Sequence, residues 1–207
     1  NIEEVRKTGA TTLLLSCAEG YRMWKVDYPK LLNISTADLG FRVVHLIESV
    51  DELIKQGALK LTKRVDLRLT YHDSCSLSRL SEPWVPWQGE RGEWGMVSPT
   101  LERRRGTNGV YQQPRDILKA IPGVELVEMI RMRENTFCCG AGRGTKEAFP
   151  DFALWAARQR LEEVKTVGAK AIVSTCPWCK ENFAQAVSQN GEKLKVLDIS
   201  EIILAAI

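Results

Sequence analysis

The stretch Ala171-Ile172-Val173-Ser174-Thr175-Cys176-Pro177-Trp178-Cys179-Lys180 joins an apolar strand-like run to a cysteine, two further residues, a second cysteine and the start of a helical pattern. The same strand-then-helix alternation extends outward along the whole chain. Strand-like runs occupy residues 12–16, 42–47, 67–71, 124–129, 171–175 and 195–199, and helical patterns occupy 21–32, 50–57, 114–121, 146–167 and 178–189. Alternation of this kind predicts an α/β fold with a largely parallel sheet flanked by helices. In such sheets functional groups gather beyond the carboxyl ends of the strands. Cys75 and Cys176 directly follow predicted strands, and Cys138-Cys139 follows another after a short loop, so all three positions are expected on one rim.

Five of the six cysteines, Cys75, Cys138, Cys139, Cys176 and Cys179, thus form one constellation. Adjacent cysteines cannot easily bond to each other without straining the peptide between them, and a Cys-x-x-Cys pair opening a helix presents two thiols on one side. In a chain that is not secreted, such cysteines more often bind metal or do catalysis. A tetrahedral zinc or an ordinary iron–sulfur cluster takes four cysteines, which leaves a fifth idle or bound to something larger. The turn Gly140-Ala141-Gly142-Arg143-Gly144 favours the larger group, because bare backbone approaches inorganic sulfide closely and offers it N–H donors. Three readings stand side by side: buried free thiols, a structural zinc site, and an iron–sulfur site, which the ligand count favours.

The motifs Tyr71-His72-Asp73-Ser74-Cys75, Phe137-Cys138-Cys139-Gly140-Ala141-Gly142 and Ser174-Thr175-Cys176-Pro177-Trp178-Cys179 together resemble the cysteine-rich CCG domain of heterodisulfide reductase-type subunits. The match is specific over roughly residues 65–207 and looser over 10–60. It implies a non-cubane [4Fe-4S]-type iron–sulfur cluster built from two fused smaller clusters, with all five cysteines as ligands; a cubane [4Fe-4S] cluster or zinc are the alternatives. It further implies an electron-transfer subunit of a multi-subunit oxidoreductase, with other iron–sulfur or flavin subunits as partners and a thiol or disulfide as the substrate to be reduced or formed. Simple electron relay, as in relatives serving dearomatising or quinone-linked reductases, competes with disulfide chemistry. The reading from a different class is a non-catalytic assembly module.

An internal repeat accompanies the resemblance. The run Thr11-Thr12-Leu13-Leu14-Leu15-Ser16-Cys17-Ala18-Glu19-Gly20-Tyr21 has the order of residues 171–180, but Gly20 stands where Cys179 stands. One cysteine cannot hold a cluster, so Cys17 is expected to be a buried remnant. The expected organisation is pseudo-twofold. Residues 1–62 form the C-terminal half of a degenerate first CCG repeat, whose Cys-Cys pair would lie about 20 residues before Asn1, and residues 63–207 form an intact second repeat.

The composition, 44% hydrophobic and 27% charged over 207 residues, suffices for a real core. The net charge of +3 is too small to imply nucleic acid. No apolar run approaches the roughly 20 residues of a membrane span, and the start does not read as a signal peptide. The expected home is the cytoplasm, including a place beside a membrane-bound complex.

Several further residues carry two readings each. His72 is a candidate catalytic residue that hydrogen-bonds a cluster sulfur or moves a proton, or else a strand-end histidine with a structural role. Asp73 is expected to cap or form a turn. Arg143 either neutralises an electron-rich cluster or is a solvated loop residue, and Gly140, Gly142 and Gly144 are expected to cradle the cofactor with it. His45 is expected in the core. The insert 81–109, with Trp84, Trp87 and Trp94 among prolines and glycines, reads as a contact loop or a cover for the site. The run Glu102-Arg103-Arg104-Arg105 reads as a solvated face.

Overall fold

The computed structural model describes residues 1–102, 104–191 and 193–207; Arg103 of the basic run lies outside the described residues. The chain begins with α1 (Ile2–Lys7), β1 (Thr12–Leu15), α2 (Ala18–Arg22), a π-helical turn over Met23–Asp27, α3 (Tyr28–Leu32), β2 (Arg42–His45) and α4 (Leu46–Lys55). It continues through β3 (Leu67–Tyr71), β4 (Glu90–Arg91), β5 (Val97–Ser98), α5 (Gln112–Ala120), β6 (Val124–Leu126) and α6 (Thr145–Ala148). The last part comprises α7 (Pro150–Thr166), β7 (Ala171–Ser174), α8 (Pro177–Asn190), β8 (Lys195–Asp198) and α9 (Ile199–Ala206).

Four strands form the central sheet in the order β6-β3-β7-β8, and every pairing is parallel, with Tyr71 opposite Val173 and Val173 opposite Leu197. Alternate side chains leave opposite faces of a strand, so the sheet carries two cores. Leu69, Tyr71, Ala171 and Val173 face Ile117 and Leu118 of α5 and Ile199, Ile202 and Ile203 of α9. Ile172 faces Ala157, Leu161 and Val164 of α7 and Phe183 and Ala186 of α8. Cover on both sides explains why β7 is buried at all four positions. This is the expected α/β architecture, parallel sheets flanked by helices.

The first elements build a second parallel sheet of β1 and β2, with Leu15 opposite His45. Its order matches that of β7-α8-β8-α9, where Ser174 lies opposite Asp198. Cys17 and Cys176 are the N-caps of α2 and α8. His45 and Asp198 close capping boxes with Glu48 and Glu201 at the starts of α4 and α9.

The boundaries depart from expectation for local reasons. The runs 42–47 and 195–199 overreach because the capping boxes turn the chain into helix at Leu46 and Ile199. The helix expected over 146–167 is two, since Pro150 lacks an N–H and opens α7 at its first position. Residues 199–206, with Ile199, Ile202, Ile203 and Ala206 buried, are a helix rather than a strand end. The insert 81–109 contains the antiparallel β4-β5 hairpin, and Trp94 at its tip is 97% exposed.

Candidate metal centre

Because β3 and β7 are parallel neighbours, their carboxyl ends bring Cys75 and Cys176 to the same edge of the sheet. Cys176 caps α8, and Cys179 lies in that helix's first turn, where the positive end of the helix favours thiolate. Cys138 and Cys139 arrive from the long loop after β6. The five sulfurs interact in one continuous series: Cys75 with Cys138, Cys138 with Cys139, Cys139 with Cys179, and Cys179 with Cys176. Cys139, Cys176 and Cys179 are buried, Cys75 is half-buried and Cys138 is exposed.

Crowded thiols cannot ionise independently. The neighbouring Cys139 and Cys75 thiols hold Cys138 far down, with help from the Gly140 N–H, which donates to its Sγ at 3.3 Å. Cys75, Cys139 and Cys179 are pushed up because they share protons with neighbouring sulfurs. Cys176 is lowered, first by Cys179 and then by the backbone N–H groups of Cys179 and Trp178. Five sulfurs that shift one another's ionisation in series, with backbone N–H groups turned towards them, form a donor set suited to a thiolate-bound metal group.

A pocket of about 370 Å³ opens beside Cys75 and Cys138, with Leu80, Phe137, Phe152 and Ala156 among its walls. Arg143 also lines it, exposed, and its backbone N–H donates to Glu19 Oε1 at 3.2 Å. The glycines have structural reasons of their own. A Cβ on Gly140, at φ +88°, would stand 2.8 Å from Ala153 O and from Ala156 Cβ, so glycine lets the Cys-Cys turn press against α7. A Cβ on Gly142 would meet Glu19 Oε1 at 2.7 Å, whereas Gly144, at φ +78°, has open space and serves the left-handed turn into α6.

His72 is 1% exposed, and one of its ring nitrogens lies within 4.8 Å of both Cys139 Sγ and Cys179 Sγ. Burial, then the charge of Arg160, lowers its pKa to about 3, so the imidazole is neutral. Asp73 does more than cap a turn. Fully buried, it accepts from Arg115 Nη1 and Nη2 at 2.7 and 2.9 Å and from the Arg133 backbone N–H at 2.7 Å. Arg115 is held in turn by Glu128 at 2.7 and 3.0 Å. His45 is buried as expected, while Cys17 is half-buried.

Three residues around the site escape sequence reasoning: Arg115, Arg160 and Asn182. Asn182 Nδ2 donates to Cys139 O at 2.8 Å and Ala153 O at 2.9 Å, tying α8 to the Cys-Cys turn and to α7. The available signal is helical spacing. Arg160 falls on the buried stripe Ala153, Ala156, Ala157, Leu161 and Val164, and Arg115 falls beside Ile117 and Leu118. A charge on an apolar stripe needs a buried partner.

Residues 100–184 match the family described as CCG, cysteine-rich domain, a span that contains Cys138, Cys139, Cys176 and Cys179. Over all 207 residues the chain is 34% identical to a subunit of the dihydromethanophenazine:CoB–CoM heterodisulfide reductase of Methanosarcina acetivorans and 35% identical to the corresponding subunit of Methanosarcina mazei, covering 43% of each. It is 30% identical over 211 residues to the probable iron-sulfur-binding oxidoreductase FadF of Bacillus subtilis, covering all of this chain and 25% of the relative. The chain therefore spans less than half the length of these curated relatives. With identity of this order along its whole length, added to the Cys-Cys-Gly turn and the helix-opening Cys-x-x-Cys, the chain is similar to these iron–sulfur oxidoreductase relatives and matches the cysteine-rich CCG domain over residues 100–184.

Proposed function

We propose that this chain is an iron–sulfur electron-transfer unit of a multi-subunit oxidoreductase, with Cys75, Cys138, Cys139, Cys176 and Cys179 as the metal ligands. The observation that carries the proposal is the unbroken series of five interacting sulfurs at one edge of a parallel sheet. Relatives named as heterodisulfide reductase and iron-sulfur-binding oxidoreductase support it. Five sulfurs exceed the four of zinc or of an ordinary cluster, which favours a non-cubane [4Fe-4S] type. An iron–sulfur cluster, when bound, supplies reversible electron storage. The chain's own part is to hold the sulfurs, donate backbone N–H bonds and admit or exclude partners.

Three of the five sulfurs are buried, as suits a relay between iron–sulfur or flavin partners, in the cytoplasm or beside a membrane-bound complex. Among the described residues no helix is long and apolar enough to cross a membrane. The pocket at Cys75 and Cys138 favours a second reading, direct contact with a thiol or disulfide. Gly140, Gly142, Gly144 and Arg143 shape the rim of this site, and His72 acts as a neutral hydrogen-bonding group rather than a proton carrier. The matched order of β1-α2-β2-α4 and β7-α8-β8-α9 supports reading residues 1–62 as a degenerate repeat of the intact unit in 63–207.

Iron and acid-labile sulfide are to be measured in anaerobically purified protein, beside Cys75→Ser, Cys138→Ser and Cys17→Ser. Iron with comparable sulfide is expected, reduced in the first two variants and unchanged in the third. Zinc without sulfide would instead identify the assembly-module reading.

A further inference from the structure

Arg160 has no exposed side-chain surface, yet it touches none of the five cysteines' sulfurs through any described hydrogen bond. Its guanidinium is fixed on three sides: Nη1 donates to Arg131 O at 2.7 Å and to Glu163 Oε2, and Nη2 donates to Thr136 Oγ1 at 3.3 Å. The single N–H on Nε donates to His72 Nδ1 at 3.3 Å. Phe183 holds the other dimension of the imidazole, edge to face at 4.9 Å. A guanidinium has donors only, so Nδ1 must be the bare nitrogen of the neutral ring and Nε2 must carry the proton. The nitrogen not held by Arg160 is therefore an N–H donor, on a ring that has one nitrogen within 4.8 Å of Cys139 Sγ and Cys179 Sγ.

We propose that Arg160 is a positioning residue that locks His72 in the Nε2–H tautomer, so that His72 donates a hydrogen bond to the sulfur set formed around Cys139 and Cys179. The inference rests on the iron–sulfur reading for its consequence but not for its geometry. A donor to sulfur stabilises the more electron-rich, reduced state and raises the reduction potential. Buried arginine charge would raise the potential too, so the two routes must be separated.

Two measurements do so. In metal-free, reduced protein with ¹⁵N-labelled histidine, the His72 ring is expected to give one unprotonated Nδ1 and one protonated Nε2 signal, collapsing to a tautomer mixture in Arg160→Lys, which keeps the charge but not the planar fork. In cluster-loaded protein, potentiometric titration followed by electron paramagnetic resonance is expected to show a more negative midpoint for His72→Leu. Arg160→Lys should shift it the same way, and His72→Gln, which keeps an N–H donor, should shift it less. Adding Arg160→Lys to His72→Leu should move the midpoint no further, because the two residues act as one unit. A protonated Nδ1 in the parent, an unperturbed Arg160→Lys tautomer, or full additivity in the double variant would each overturn the proposal. Failure of the parent to bind iron would instead refute the iron–sulfur reading, and the tautomer measurement would still decide the role of Arg160.

Discussion

Replacing Asp73 by asparagine should destabilise the protein by about 3 kcal/mol, since breaking one side of a buried ion pair costs roughly 3–5 kcal/mol. The carboxylate accepts three hydrogen bonds while fully buried, and Arg115 is only 1% exposed. Asparagine keeps the shape but offers one oxygen, and its amide turns a donor toward the donors of Arg115. Glu128 still neutralises Arg115 from a partly exposed position, which places the cost at the low end of that range. With a urea dependence of about 2 kcal/mol per molar, the unfolding midpoint should fall by roughly 1.5 M at unchanged slope. The exposed pair of Arg64 and Asp66 supplies the control: Asp66→Asn should cost less than about 0.5 kcal/mol. Adding Arg115→Met to Asp73→Asn should cost less than the two single changes summed, because neither member of the fully buried pair then remains as a stranded charge, and Glu128, which loses Arg115, is partly exposed. An Asp73→Asn midpoint indistinguishable from that of Asp66→Asn, or strict additivity in the double variant, would refute this reasoning.

Burial holds His45 down at about 4, against an ordinary 6.5. The unfolded chain therefore takes up the proton first, so the histidine's contribution is whole above pH 6.5 and is lost as pH falls from 6.5 towards 4, by on the order of 3 kcal/mol. His45→Asn keeps an acceptor for the Ile47 N–H and should reduce the slope of stability over that window in urea melts; a slope equal to the parent's would exclude His45 as its source. At the Cys-Cys turn, Gly140→Ala forces a left-handed φ on a side chain that collides with α7 and should cost roughly 2 kcal/mol or more. Gly142→Ala meets only the movable end of Glu19 and should cost less than about 1 kcal/mol, so equal thermal midpoints for the two variants would contradict the packing account.

The alternation of strand and helix and the positions of Cys75 and Cys176 after strands are local properties, and residues 171–180 alone carry both kinds of signal. Apolar run, turn and helical period are set by neighbouring residues, so the parallel α/β sheet and the rim at Cys75 and Cys176 were legible in the chain. Helix ends were less so, because the capping boxes at His45 and Asp198 depend on a side chain three residues on and override the apolar run. What no local pattern reports is which distant charge meets which. Asp73 and Arg115 are 42 residues apart, and His72 and Arg160 are 88 apart, and a buried ion is tolerated only where folding delivers its partner. The sequence by itself therefore set out the candidate sulfur donors, while the tertiary structure decided the buried arginines that hold Asp73 and His72 beside them, since those partnerships exist only when α5 and α7 close on the sheet.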